Sequence, residues 1–180
     1  MKNLKMFCTT LEPSHYKFIK MLGYIPVGLG EKFFDGDWFR DNSGINISKK
    51  NKNYAECTYH YWFWKNYLEK CDDEWIGFCH YRKFWSLKKI DQTYINVNNI
   101  YDQVLKEIPI QYQDYETILG EPFYVNQLRL MKFIKKGTKI LLKNPFLLFN
   151  KNKRNLKFHF NLMHGEKNID KAIELLDVEN

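Results

Sequence analysis

Residues 41–84 read DNSGINISKKNKNYAECTYHYWFWKNYLEKCDDEWIGFCHYRKF, and the remainder of the chain is interpreted outward from them. A polar loop, Asp41–Ser48, opens the stretch. An aromatic helix is expected from about Lys52 to Glu69, with Asn51 as its cap, followed by an apolar strand, Trp75–Cys79. That strand ends in His80-Tyr81-Arg82-Lys83. A buried strand that delivers a histidine and two cations at its carboxyl end matches the place where open α/β sheets bind ligands. The loop offers Asp41, Asn42 and Asn46 with the hydroxyls of Ser43 and Ser48 around Gly44, a set suited to ribose or sugar hydroxyls. Loops of this composition also cap themselves. In the helix, Cys57, Tyr61, Trp64 and Leu68 form one apolar stripe, and Tyr59, Trp62, Phe63 and Asn66 cover much of the rest. A helix apolar on most sides is expected to be buried on most sides, its aromatics serving as core. Glu56 stands apart as a carboxylate in the first turn, where it serves the helix N-terminus electrostatically or faces a ligand cleft.

Upstream, Leu4–Cys8 reads as a first strand, Ser14 as the N-cap of a helix from His15 to Leu22, and Gly23 as its end. Tyr24–Val27 reads as a second strand. Strand, helix and strand in thirty residues make a βαβ unit, so the two strands are expected to be parallel, with a right-handed crossover. Gly28 and Gly30 follow the second strand and open no helix, which rejects a dinucleotide fingerprint. Asp35-Gly36-Asp37 could place two carboxylates on a divalent cation, but turn chemistry alone favours Asp and Gly there, and the turn is preferred.

At 180 residues the chain fits one domain and can bury a real core. Its 44% hydrophobic and 17% aromatic content argues against disorder. The net charge of +7 is concentrated. Between Pro122 and Gly165 there is no acidic residue, against Arg129, Lys132, Lys135, Lys136, Lys139, Lys143, Lys151, Lys153, Arg154 and Lys157. The rest of the chain is net acidic, so the basicity of this one segment points to a polyanionic partner or surface. Leu130, Phe133, Ile134, Ile140–Leu142 and Phe146–Leu148 alternate with these cations, a pattern that reads as a membrane-surface contact, with a nucleic-acid patch or a solvated face as alternatives. Cys8, Cys57, Cys71 and Cys79 show no CxxC spacing, which favours a reducing compartment and disfavours structural zinc. The N-terminus lacks the apolar run of a signal peptide, and no stretch has the ~20 apolar residues of a membrane span. Tyr101–Ile108 is expected to form a short helix, Tyr115–Pro122 a strand and turn, and Ile169–Leu176 an amphipathic helix.

The central stretch resembles the family catalogued as domain of unknown function 4422, which is common in bacterial capsule and lipopolysaccharide gene clusters and is grouped with the GT-A glycosyltransferases. Its pattern is close to D-N-T-G-D-N-I-S, then C-E-L-T-x-x-Y-W-x-W-K-N, then I-G-L-x-H-Y-R-R-Y/F. Here Asp41, Asn42, Gly44, Asn46, Ile47, Ser48, Glu56, Thr58, Tyr61, Trp62, Trp64, Lys65, Asn66, His80, Tyr81 and Arg82 match. Ser43, Ile45, Ala55 and Lys83 depart from it, and the missing carboxylate at position 45 weakens a metal-binding role for the loop. The segment FHFNLMHGEKNIDKAIELLD is similar to the family's H-F-x-x-x-H-G-x-x-x-L-D-x-A, with His159, His164 and Gly165 matching and Asn161 where an Asp is frequent. Family members usually continue past this point, so part of an acceptor site is expected to be missing.

The resemblance implies an α/β fold with a GT-A-like, Rossmann-type, mostly parallel sheet flanked by helices, and a basic helical C-terminal portion. It implies one glycosyltransferase domain over 1–180, with a nucleotide-sugar-binding portion at 1–121 and a basic acceptor or membrane-side portion at 122–180. The implied reaction moves a sugar from a nucleotide diphosphate, best a UDP-hexose such as galactose in pyranose or furanose form, to a lipid-linked or polysaccharide acceptor of the capsule or lipopolysaccharide. Thr9, Thr10, Asn42, Asn46, Ser48, His80, Arg82 and Lys83 are the expected donor-binding residues, and His159 and Asn161 the acceptor-binding ones. His164, Glu56 and Asp41 are the candidates for catalysis, which needs a base near the acceptor hydroxyl. Arg82 and Lys83 stand where other GT-A enzymes carry an Asp-x-Asp metal site. Guanidinium and ammonium groups there would stabilise the departing diphosphate, so no cofactor is expected to be required, with Mn²⁺ or Mg²⁺ as the alternative. The expected location is the cytoplasmic face of the inner membrane, peripheral, with no nucleic-acid partner. Two rival readings are a non-catalytic basic module that binds RNA or anionic lipid, and a degenerate transferase that binds donor without turnover.

Overall fold

A computed structural model describes residues 2–72, 75–90, 95–122, 124, 142, 145–165 and 167–178. It forms two compact units, 1–120 and 121–180. The first holds a five-stranded sheet: β1 (Lys2–Thr10), β2 (Ile25–Gly28), β3 (Phe39–Arg40), β4 (Trp75–His80) and β5 (Glu107–Ile108). The order is β3-β2-β1-β4, all parallel, with β5 antiparallel to the first residues of β1. The sheet is mostly parallel and flanked by helices, so the expected α/β, Rossmann-like class stands.

Side chains alternate across β1, because successive residues of a strand point to opposite faces. Met6 and Cys8 pack with Ile19, Leu22 and Tyr24, on the side of helix α1 (Tyr16–Met21). Phe7 packs with Val27, Leu29, Tyr59, Trp62 and Phe63, on the side of the aromatic helix. α1 ends as expected at Gly23, whose φ of +77° suits glycine. Gly23 N donates to Lys20 O (2.9 Å) and Tyr24 N to Ile19 O (3.2 Å), the paired closure that satisfies the last carbonyls of a helix. Ser14 is not its cap. It lies inside a 3₁₀ turn, Pro13–His15, that leads into α1 with Pro13 at its start, so the first orphan amides have no hydroxyl partner.

The expected helix over 52–69 is two pieces, α2 (Asn51–Tyr54) and α3 (Cys57–Asn66), broken at Ala55 with a φ of +46°. Asn51 begins α2 instead of capping it. Its amide donates to Ala55 O (2.8 Å) and Thr58 Oγ1 (3.0 Å), holding the break in place. α3 buries one face only, Thr58, Tyr59, Trp62 and Phe63, while Cys57 and Trp64 of the expected stripe are exposed. Tyr101–Ile108 is likewise not a helix: a 3₁₀ turn at Ile100–Asp102 is followed by β5. Tyr115–Pro122 forms no strand. Asp35-Gly36-Asp37 is an exposed bend with Gly36 at a φ of +79°, as turn chemistry predicts.

In the second unit, α4 (Leu156–His164) is capped by Asn155, whose side chain accepts from Phe158 N (2.9 Å), and α5 (Asn168–Val178) contains the expected terminal helix. Residues 123, 125–141 and 143–144, and with them most of the basic amphipathic segment, lie outside the described residues. Among the described residues, no helix is long and apolar enough to cross a membrane.

Candidate active site

The carboxyl ends of β1 and β4 meet in a register that sets Cys8 beside Cys79 and Thr9 beside His80. A cleft of about 350 Å³ opens there, lined by Thr9, Glu56, His60, Phe78, Cys79, His80, Lys83, Phe84, Trp85 and Gly120. Apolar walls with a few convergent polar groups are the usual build of a small-molecule site. Phe78, Phe84 and Trp85 supply the walls. Trp85 is fixed through its indole N–H, which donates to Phe78 O (2.8 Å).

The polar groups come from two elements. β4 delivers His80, after which the chain turns sharply, with Lys83 N donating to His80 O (2.8 Å). Tyr81 N donates to Thr9 O (3.1 Å), tying the turn to β1, and the Tyr81 ring stacks on His15 at 4.2 Å. Arg82 lies over Tyr81 at 5.1 Å and does not line the cleft. Among the described residues the ion pairs are Lys32–Glu12 and Lys157–Asp170, so Arg82 and Lys83 enter none. Glu56 and His60 come from the start of α3. Four residues apart, they share one helix face. The His60 ring packs edge-on against Phe78 at 4.7 Å.

The electrostatics of the two imidazoles follow from this placement. Burial pushes His60 below the usual histidine range, and Glu56 opposes that. Burial, then the Arg82 guanidinium, push His80 down; Glu56 again opposes, and Lys83 and His15 add to the depression. Both rings are therefore biased toward the neutral imidazole.

The other candidates fall into two groups. Asp41 is 0% exposed and is not among the cleft-lining residues. Its Oδ2 accepts from Thr58 Oγ1 (2.5 Å), and burial raises its carboxyl above the usual range. Asn46 and Ser48 bond each other, with Ser48 Oγ donating to Asn46 Oδ1 (2.9 Å), and Asn46 Nδ2 donates to Gly44 O (2.9 Å). Asn66 brackets the loop by accepting from Ile45 N (3.0 Å) and donating to Ile45 O (2.8 Å), and Trp62 Nε1 donates to Ser43 O (2.9 Å). In this loop the self-capping alternative describes Asn46 and Ser48, and α3 holds it from below through Thr58, Trp62 and Asn66. Asn42 is exposed. Thr9 and Thr10 are buried; Thr9 Oγ1 donates to Cys79 O (3.2 Å), and Thr10 Oγ1 sits 2.7 Å from His15 Nδ1. His159, Asn161 and His164 stand on α4 of the second unit.

Gly44 gives this construction a direct check. Its φ is +55°, and a Cβ there would come within 2.2 Å of Asn66 Oδ1, the oxygen that accepts from Ile45 N. Gly44→Ala is expected to lower stability by about 2 kcal/mol, from left-handed strain plus a disrupted hydrogen bond. Urea denaturation measures it, and an unchanged midpoint would mean that Asn66 does not clamp the loop.

His15, His60, Phe78 and Trp85 are site-region residues that the sequence reading missed. The Glu56-x-x-x-His60 spacing was a usable signal for one of them. For Trp85 and Phe78 there was none, since only the folded turn after β4 brings them together.

Among the described residues no three His, Cys, Asp or Glu side chains converge as metal ligands, and Asp35 and Asp37 are exposed on their bend. No curated protein and no solved structure matches the chain. A family model described as "Domain of unknown function (DUF4422)" matches residues 8–178, nearly the whole chain, and the protein belongs to that family.

Proposed function

We propose that this chain is a GT-A-type glycosyltransferase domain that moves a hexose from a nucleoside diphosphate, best uridine diphosphate, to a growing capsular or lipopolysaccharide glycan held at the cytoplasmic membrane surface. The observation that carries the reading is the cleft at the carboxyl ends of β1 and β4, with aromatic walls and Glu56, His60, His80 and Lys83 around it. Aromatic faces accept the apolar face of a sugar or a base. Lys83 supplies positive charge for the diphosphate as it leaves, and fixed charge aimed at developing charge is often the largest catalytic contribution. Glu56 is assigned the role of proton acceptor for the attacking hydroxyl, because Asp41 is buried against Thr58.

A thermal-shift panel tests this with UDP, GDP, CMP, dTDP and their sugar conjugates, each in Mn²⁺ and in EDTA. A ligand at a hundred times its Kd adds ~2.7 kcal/mol of stability. One nucleotide class is expected to raise Tm by several degrees, equally in EDTA, and Lys83→Ala is expected to abolish the shift. No shift with any nucleotide would overturn the donor-binding reading; a shift only with Mn²⁺ would overturn the assignment to Lys83.

A further inference from the structure

The second unit carries two phenylalanines in an unusual setting. Pro145–Leu148 is a 3₁₀ turn, extended by Phe149 N and Asn150 N donating to Phe146 O (3.2 and 3.1 Å). Phe146, within the turn, and Phe149, directly after it, line one and the same recess, so they project on the same side. They are 71% and 84% exposed. Asn150 then accepts from Asn152 N (3.0 Å) and Lys153 N (3.4 Å), which fixes the next turn, Lys151–Lys153, directly behind the aromatic pair. Phe146, Phe149, Asn150, Lys151 and Asn152 together line an open recess.

The cations nearby are not equivalent. Arg154 is buried, and Lys157 pairs with Asp170, so both serve the fold. Lys151 and Lys153 are exposed and appear in none of the described ion pairs. No acidic residue occurs between Pro122 and Gly165 to offset them. Paired aromatics beside unneutralised lysines fit an interface that is apolar at depth and anionic at its surface, as in a bilayer with acidic headgroups. A single-stranded nucleic acid would use the same lysines and stack its bases on aromatic rings, but the wholly apolar run Phe146-Leu147-Leu148-Phe149 favours the bilayer.

We infer that the 145–153 turn pair is a membrane-docking wedge: Phe146 and Phe149 enter the acyl boundary of an anionic bilayer while Lys151 and Lys153 hold its phosphate headgroups. Such a contact presupposes only the membrane-side part of the proposed function, not the donor cleft.

Vesicle flotation of the full chain tests it, with phosphatidylcholine alone and with 30% phosphatidylglycerol. The wild-type chain is expected to partition at least tenfold more strongly to the anionic vesicles. F146S/F149S is expected to reduce that partitioning at least tenfold, with an unchanged melting curve since both side chains are exposed. K151E/K153E is expected to remove the preference for anionic lipid, and F149W to retain it. Wild-type partitioning by F146S/F149S would overturn the wedge, as would equal binding to both vesicle types. Displacement of the protein from vesicles by a single-stranded oligonucleotide, with the phenylalanine variants binding that oligonucleotide normally, would assign the surface to nucleic acid instead. Nucleotide-induced Tm shifts are read separately, so failure of the wedge and failure of the transferase reading are distinguishable.

Discussion

Phe7→Ala is expected to cost about 3–5 kcal/mol, a large share of the stability of an ordinary domain. Phe7 is 0% exposed at the centre of β1, with the rings of Phe39, Tyr59, Phe63, Tyr67 and Phe78 at centroid distances of 5.4, 5.9, 5.1, 6.2 and 6.0 Å. Those partners come from β3, α3 and β4 and from the segment after α3, so truncation leaves a cavity that no single element can move to fill. Cavity and transfer contributions therefore add. Urea unfolding should show a large fall in midpoint at a similar slope. Phe33→Ala, at an exposed position outside the cluster, should stay within about 0.5 kcal/mol. A loss below about 1.5 kcal/mol for Phe7→Ala would mean that the aromatic cluster repacks and is not the keystone of the sheet.

Glu56→Gln is expected to leave the fold intact and remove the function. Glu56 is exposed and its side chain caps nothing, so Tm should hardly move. Its carboxylate raises both His60 and His80 against the burial that depresses them. Without that charge, both imidazole titration midpoints should fall further, an effect that proton NMR reads with no substrate present. A histidine whose folded pKa is depressed contributes stability that is full above its unfolded pKa and is lost as pH falls toward the folded value. The variant should therefore lose more stability between pH 7 and pH 5 than the parent does. On the proposed transferase mechanism, the rate of sugar transfer should drop about 10²–10⁴-fold, the usual contribution of a positioned base. Unmoved histidine midpoints would show that Glu56 does not face the cleft, and an unmoved rate would reassign the base.

Certain elements were legible because their signal is local. Leu4–Cys8, Tyr24–Val27 and Trp75–Cys79 are short apolar runs bounded by breakers, and Gly23 needs only its own φ to end a helix. The motif residues of 41–84 were legible as a group, and the fold brings Glu56, His80 and Lys83 into one cleft. Their division of labour was not. Asp41, Asn46 and Ser48 have the side chains of a sugar-binding loop, but whether such groups meet a ligand or each other depends on what lies beneath them. Here that is Thr58, Trp62 and Asn66 of α3.

Periodicity likewise could not choose the buried face of α3, because aromatic residues lie all around it and the contact with Phe7 and Phe78 selects one side. β3 has two residues and exists through its pairing with β2, and the break at Ala55 is held by Asn51. The sequence by itself determined the class of fold, the places of its main strands along the chain and the presence of a charged turn at a strand end, since each is written in neighbouring residues. Which polar groups line the cleft and which are spent on holding the chain was decided by the tertiary structure alone, because a hydrogen bond is claimed by whichever partner the fold brings nearest.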